Sequence, residues 1–117
     1  MTSLPRSRFR PWDVVLVPFP YTEKAATKVR PAVVVSSEEL AQKTRMYFVV
    51  MVTNAEHAPW AGDVPVSDLA AAGLPIPSIV RSAKLATLDE AAIIRSLGSL
   101  PVADRVKVAG EIRTFLA

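Results

Sequence analysis

The 117-residue sequence contains no cysteine and a single histidine, His57. A disulfide framework, a thiolate nucleophile and a cysteine-ligated zinc site are therefore excluded, and one imidazole is too few for a histidine-rich metal site. The acidic residues show no spacing typical of two-metal chemistry. We accordingly expect no metal and no cofactor. The lack of cysteine is compatible with a reducing cytoplasm, which is the location we expect.

Long apolar runs and glycine-rich motifs are also missing. No stretch reaches the roughly 18 apolar residues that span a membrane, and the N-terminal arginines lack the apolar region of a signal peptide. We therefore expect no membrane contact. Neither a glycine-rich phosphate loop nor a G-x-S-x-G nucleophile elbow occurs. The formal net charge of +3 is smaller than that expected of a dedicated duplex-DNA binder.

Apolar residues make up half of the chain, which is typical of one folded domain with its own core. We interpret residues 1–11 as a flexible N-terminal segment and residues 12–117 as a single domain. The first segment carries Arg6, Arg8 and Arg10. These arginines are either solvated side chains or an arm that binds nucleic acid.

Short β-branched runs between ten prolines predict strands, because proline cannot donate to a ladder and marks strand ends. The predicted strands are residues 13–19, 32–36, 46–53, 63–66, 78–81, 83–87 and 93–97. Residues 38–43 and 67–73 are predicted as short helical turns. After Pro101, apolar residues at helical spacing predict an amphipathic helix; they are Val102, Val106, Ala109, Ile112 and Leu116. This order indicates a β-rich α+β protein, a small barrel or a strongly coiled sheet.

Arg30 precedes Pro31 at the start of the second predicted strand. The proline biases the arginine towards an extended conformation and places it at the rim of the sheet. An arginine held in this way can bind a phosphate with paired N–H donors. An ordinary arginine at a strand start fits the same pattern, so the residues alone leave both interpretations open.

Three further residues lie at or after the end of the third predicted strand. Thr53 ends it, at a junction where functional residues often occur, although most such threonines are only good strand formers. His57 follows in the loop and is the one natural acid or base near neutral pH, unless it is simply exposed. Trp60 either stacks on a base or covers the core.

Two segments resemble the signatures of the MazF/PemK toxin family. Residues 12–22 (WDVVLVPFPYT) and 28–36 (KVRPAVVVS) resemble its N-terminal part, where an Asp-Val-Val strand leads through a polar loop to Arg-Pro and a second strand. Residues 77–89 (PSIVRSAKLATLD), followed by residues 94–98 (IRSLG), resemble its second part. The chain departs from the family at Trp12, where members often have glycine, at Lys84, where some have glutamine, and in the loop of residues 23–28, which lacks the family's serine.

The resemblance implies an SH3-like barrel of the MazF/CcdB type with a C-terminal helix, and a homodimer. It also implies metal-independent, sequence-specific cleavage of single-stranded RNA and a cognate antitoxin that blocks the site. The family's catalytic arginine falls on Arg30 and its catalytic threonine falls on Thr53. Polar residues near these two positions are further candidates for RNA binding: Thr22, Lys24, Thr27, Lys28, Asn54, His57 and Lys84. The lysines among them either steer phosphates or only solubilise the surface.

The implied reaction is attack of the RNA 2′-OH on the adjacent phosphate, which gives a 2′,3′-cyclic phosphate and a 5′-OH. The nucleophile then belongs to the substrate, so the protein must supply geometry and charge stabilisation. Two alternatives stay open at this point. One is a toxin of the same fold that binds a protein such as DNA gyrase, as CcdB does. The other is an RNA-binding SH3-like module without catalysis.

Overall fold

The computed structural model describes residues 7–20 and 27–117, without the side chains of residues 19, 20 and 27. The described chain forms six strands: β1 (Asp13–Pro20), β2 (Thr27–Val34), β3 (Met46–Asn54), β4 (Asp63–Pro65), β5 (Ser78–Asp89) and β6 (Arg95–Ser99). It also forms three α-helices: α1 (Glu38–Thr44), α2 (Leu69–Ala72) and α3 (Val102–Phe115). The β-rich α+β class expected from the sequence is confirmed.

The strands form one sheet in the order β4-β5-β3-β2-β1-β6, and every neighbouring pair is antiparallel. Consecutive strands of the chain lie side by side where hairpins join them, as short connections favour. Within the described residues no ladder joins β4 to β6. The expected barrel is therefore a six-stranded sheet with two edges.

Both faces of the central strands are buried. Val14, Val33 and Val50 belong to one apolar cluster, which α2 and α3 cover. Val15 and Val49, one residue away in β1 and β3, belong to the other cluster. A strand alternates its side chains between two faces, so a strand with two buried faces has a continuous apolar run. The runs of valine in the sequence predicted this feature correctly.

The fifth strand differs from the prediction, because residues 78–81 and 83–87 are parts of a single strand. Its register with β3 jumps from Met51 opposite Arg81 to Val50 opposite Leu85. Residues 82–84 therefore form a bulge, which bends the strand and re-aims its side chains. The predicted break at Ser82 marks this bulge and not a strand end.

The face of the C-terminal helix that packs on the sheet was predicted correctly at Ala109 and Ile112 and wrongly in its first two turns. Val102 and Val106, expected on the buried face, are 68% and 70% exposed. The buried positions are Asp104 and Val108, with Ile112 partly buried one turn later. Asp104 is accommodated because its carboxylate accepts hydrogen bonds from the Ser67 amide at 2.8 Å and the Ser67 hydroxyl at 3.0 Å. A carboxylate with two donors can occupy a core-facing position.

The segment before β1 contributes to the core through Phe9. Its ring is 4% exposed and packs edge-on against Tyr47, with centroids 5.7 Å apart. Residues 1–6 lie outside the described chain, so the division at residue 11 stays a prediction. The Tyr47 hydroxyl donates to Glu90 at 2.7 Å. Burial first, and then this hydrogen bond, raise the pKa of Tyr47 above its ordinary value of 10.0.

The raised pKa of Tyr47 predicts a loss of stability at alkaline pH. The fold favours the neutral phenol, so this contribution is complete below pH ~10 and is lost as the pH rises further. We expect Tyr47→Phe to lower the free energy of unfolding by about 1 kcal/mol at pH 7, through the lost hydrogen bond. The variant should lose less stability than the wild type between pH 9 and 11 in urea titrations. Parallel profiles of unfolding free energy against pH for the two proteins would contradict the stabilising role of the neutral Tyr47 phenol.

The C-terminal end of α2 packs against β6 without space for a side chain. A Cβ at Gly98 would lie 2.6 Å from the carbonyl carbon of Ala72. Gly73, the C-cap of α2, has φ +72°, a conformation that favours glycine. This contact positions residues 74–76, which follow Gly73 and line a cleft between β2 and β3.

We expect Gly98→Ala to destabilise the protein by about 2 kcal/mol or more, because the backbone of α2 must move to admit the methyl group. Gly110→Ala is the matched control. A Cβ there meets nothing within 4 Å, and alanine favours the helix by roughly 0.5–1 kcal/mol. The midpoint temperature of thermal unfolding should therefore fall for Gly98→Ala and rise for Gly110→Ala. Equal shifts would show that the α2–β6 contact is not tight.

Candidate active site

A cleft opens where β2 and β3 stop pairing. The ladder between them runs from Val34 opposite Val49 to Ala32 opposite Met51 and then ends, while β2 continues to pair with β1. The next residue of β2 is Pro31, which has no N–H to donate. Extending the same register by two residues brings Arg30 opposite Thr53.

This β2–β3 cleft has two connected parts, of about 320 Å³ and 110 Å³. Both parts are lined by Arg30, Val52, Thr53 and His57. Residues 74–76 form a wall of the larger part, and Arg81 and Lys84 line the smaller one. A larger depression of about 460 Å³ lies between α1 and β3. Its charged side chains, Glu39 and Lys43, bind each other, so the β2–β3 cleft has the more reactive lining.

The Thr53 hydroxyl and the His57 ring are directly hydrogen-bonded, with 2.7 Å between Thr53 Oγ1 and His57 Nδ1. A tight turn produces this contact, because the His57 amide donates to the carbonyl of Asn54 at 3.1 Å. The Asn54 side chain closes the same turn by accepting from the Glu56 amide at 2.8 Å. The imidazole accepts a hydrogen bond from the hydroxyl or donates one to it, according to its tautomer.

Arg30 lies within β2, opposite Val17 of β1, rather than at the strand start as predicted. The strand begins three residues earlier because its pairing with β1 extends beyond its pairing with β3. The side chain is half-buried and lines both parts of the cleft. A guanidinium at this position can bind an anion in the cleft through planar paired donors.

Arg81 was not predicted as a site residue. Its side chain is 8% exposed. The guanidinium forms a two-point ion pair with Asp63, from Nε to Oδ1 at 3.2 Å and from Nη2 to Oδ2 at 3.1 Å. Nη2 also donates to the carbonyl of Ala58 at 2.8 Å. These bonds tie the loop between β3 and β4 to β5. The signal in the sequence was one charge within the otherwise uncharged run of residues 78–82, which is predicted as a strand up to Arg81.

The remaining RNA-binding candidates differ in their positions. Asn54 and Lys84 line the cleft, and the bulge of β5 carries Lys84 there. Lys28 is exposed on β2 and is not part of the cleft lining. Thr27 begins β2, and its side chain is not described. Thr22 and Lys24 lie outside the described residues.

In the ranges that the structure describes, no three histidine, cysteine or carboxylate side chains are grouped as a metal site would require. Over the same ranges no helix is long and apolar enough to cross a membrane. The lining of the β2–β3 cleft includes the side chains of Arg30, Arg81 and Lys84, the Thr53 hydroxyl and the His57 imidazole. This set suits an anionic substrate, because the cations bind its charge and the imidazole can transfer a proton.

The family model of the PemK-like, MazF-like toxin of type II toxin–antitoxin systems matches residues 10–116. The chain therefore belongs to this toxin family, as its sequence signatures predicted. A comparison with curated proteins found no match.

Solved structures show the same fold. The Mycobacterium tuberculosis toxin MazF-mt6 superposes with a TM-score of 0.70 and 22% identity, over 87% of this chain and 93% of that one. The MazE–MazF structure from Deinococcus radiodurans superposes with a TM-score of 0.73 and 17% identity, over 92% and 94%. An endoribonuclease in complex with its cognate antitoxin, from a mycobacterial species, superposes with a TM-score of 0.71 and 19% identity, over 90% of this chain and 91% of that one.

Asp63 is expected to be essential for the loop between β3 and β4, because its removal leaves the Arg81 guanidinium buried without its counter-charge. We expect Asp63→Ala to cost about 3 kcal/mol of unfolding free energy. The control is Glu39→Ala in the exposed Glu39–Lys43 pair, whose side chains are 71% and 67% exposed. That variant should cost less than about 0.5 kcal/mol. Urea unfolding compares the two, and similar costs would contradict the structural role of the Arg81–Asp63 pair.

Proposed function

We propose that this protein is a metal-independent endoribonuclease toxin that cleaves single-stranded RNA at a specific sequence. The observation that carries the proposal is that Arg30 and the hydrogen-bonded Thr53–His57 pair line one cleft in a chain of the PemK-like, MazF-like toxin family. One of the solved structures with this fold is itself described as an endoribonuclease.

The proposed reaction uses the substrate's own nucleophile. The 2′-oxygen of a ribose attacks the adjacent phosphorus and forms a new P–O2′ bond while the P–O5′ bond breaks. The 2′-hydroxyl proton goes to a base, and the departing 5′-oxygen receives a proton. The products are a 2′,3′-cyclic phosphate and a 5′-hydroxyl, and no metal or cofactor takes part.

Arg30 supplies charge in this reaction. Its guanidinium binds the non-bridging phosphate oxygens, on which negative charge increases as the pentavalent phosphorane forms. Arginine stays protonated at neutral pH and is therefore a poor base. The proton transfer needs another group.

The Thr53–His57 pair supplies that group. Its imidazole is the one histidine ring in the chain, and it lies 2.7 Å from a hydroxyl that faces the same cleft. In the mechanism we propose, Thr53 positions the phosphate and His57 accepts or returns the proton. Lys84 and Asn54 bind the RNA on either side.

We also infer the partners and location of the toxin from its family. Structures with this fold include one described as MazE–MazF and one described as an endoribonuclease with its cognate antitoxin. We infer that a cognate antitoxin covers the β2–β3 cleft and blocks RNA. The active toxin is a homodimer that acts in the cytoplasm on mRNA.

The test is cleavage of a long mixed-sequence single-stranded RNA in excess EDTA, with both ends of each product mapped. We expect discrete sites with cyclic-phosphate ends for the wild type. Arg30→Ala should reduce the rate by at least roughly 10²-fold, because it removes charge stabilisation in the transition state. Arg113→Ala is the matched control, since this arginine is exposed in the last turn of α3.

Two further variants separate the roles of the Thr53–His57 pair. Thr53→Val keeps the shape of the side chain and removes the hydroxyl, and His57→Gln keeps a polar group without a titrating imidazole. Loss of the rate in both, with unchanged circular dichroism, supports the pair. Near-normal cleavage by a folded Arg30→Ala variant would contradict the catalytic role of Arg30. A folded wild type without cleavage would favour a toxin that acts by binding a protein such as gyrase.

A further inference from the structure

We propose that Trp60 is a stacking platform for a nucleobase next to the phosphate that is cleaved. This inference rests on the proposed function, because it requires single-stranded RNA in the β2–β3 cleft. Such a platform makes Trp60 a determinant of RNA affinity beside the cleavage site.

Trp60 is exposed although it is the largest type of apolar side chain. Its exposed fraction is 46%, and it belongs to neither of the two apolar clusters. It therefore does not cover the core, which was one of the two interpretations open from the sequence. An indole kept partly in water presents a flat π surface on which any base can stack.

The indole is held in position before any ligand binds. The Trp60 amide donates to Asp63 Oδ2 at 2.8 Å, and the Asp63 amide donates back to the Trp60 carbonyl at 3.3 Å. The Arg81 guanidinium lies 4.4 Å from the ring centroid. Because Asp63 and the carbonyl of Ala58 hold Arg81 in turn, the cation that supports the ring is itself fixed. An aromatic ring fixed in this way loses little freedom when a base stacks on it.

The two cations beside the indole also line the reactive cleft. Lys84 Nζ lies 5.7 Å from the Trp60 ring centroid, and Lys84 shares the smaller part of the cleft with Arg30 and Thr53. The ring is thus next to two residues of the cleft lining. Lys84 is in position to bind the phosphate that links the cleaved nucleotide to its neighbour, and that neighbour's base then reaches Trp60.

Trp60→Ala tests the platform. Binding is measured by fluorescence anisotropy on an RNA that contains a mapped cleavage site with a single 2′-deoxy substitution, which removes the nucleophile and prevents turnover. We expect Trp60→Ala to weaken binding by about 10-fold or more, as loss of one stacked base does, and Trp60→Phe to recover part of the loss. In cleavage assays KM should rise by a similar factor, with little change in kcat.

Val106→Ala is the control for the loss of an exposed apolar side chain, because Val106 is 70% exposed on α3 and lies away from the cleft lining. Binding by this variant should equal that of the wild type. A spectroscopic readout is also available, since Trp60 is one of two tryptophans. RNA should quench the emission of the wild type and leave that of Trp60→Phe nearly unchanged.

Abasic nucleotides identify the stacked base. Each position flanking the cleavage site is replaced in turn by an abasic residue, and binding is measured with the wild type and with Trp60→Ala. We expect one position at which the abasic change weakens wild-type binding but has no further effect on the variant, which is the coupling expected of a direct contact. Additive losses at every position, or wild-type affinity and KM in the folded Trp60→Ala variant, would overturn the proposal.

The outcomes of this proposal and of the nuclease proposal are separate. If the wild type does not cleave RNA, the proposed function fails before Trp60 is tested. If the wild type cleaves and Trp60→Ala binds RNA normally, only the platform fails. If Trp60→Ala still binds RNA but no longer binds a purified antitoxin, the indole is a protein contact and the platform is also rejected.

Discussion

The site depends on one interrupted pair of strands. Buried valines on both faces fix the register of β2 and β3, and a slip of one residue would move every side chain to the opposite face. Arg30 and Thr53 each lie two residues beyond the last pair of that ladder, and Pro31, the next residue of β2, has no N–H to donate. The gap left between the strands is the cleft. The packing of these unreactive valines therefore determines where the reactive side chains meet.

Much of the architecture was predictable because its signals are local. Valine runs predicted strands buried on both faces. The family signatures pointed to Arg30 and Thr53, which line one cleft in the structure. The apolar face of α3 was not predictable in the same way. A stripe through Val102 and Val106 looks favourable by spacing alone, yet the buried stripe includes Asp104 because Ser67, 37 residues away, supplies its donors. A partner so distant in sequence leaves no periodic signal.

The same limit applies to the site. Asp63 and Arg81 are 18 residues apart and become partners only when β4 pairs with β5. The bulge that carries Lys84 to the cleft looked like a strand end, because a break in apolar alternation does not distinguish the two. His57 looked like an ordinary loop residue, and only the turn at Asn54 places its ring on Thr53. Contacts that loops and bulges create leave no local pattern in the sequence, whereas strands do.

The loop between β3 and β4 is held by hydrogen bonds at both ends and at Ala58 between them. The turn at Asn54 closes its beginning, and the carboxylate of Asp63 closes its end by holding both the Trp60 amide and Arg81. Only Ala58 and Pro59 lie between these two fastenings, and the carbonyl of Ala58 accepts from Arg81. An insertion in this loop would therefore displace the imidazole or the indole. Proton transfer and base stacking, as we propose them, are coupled through one short loop.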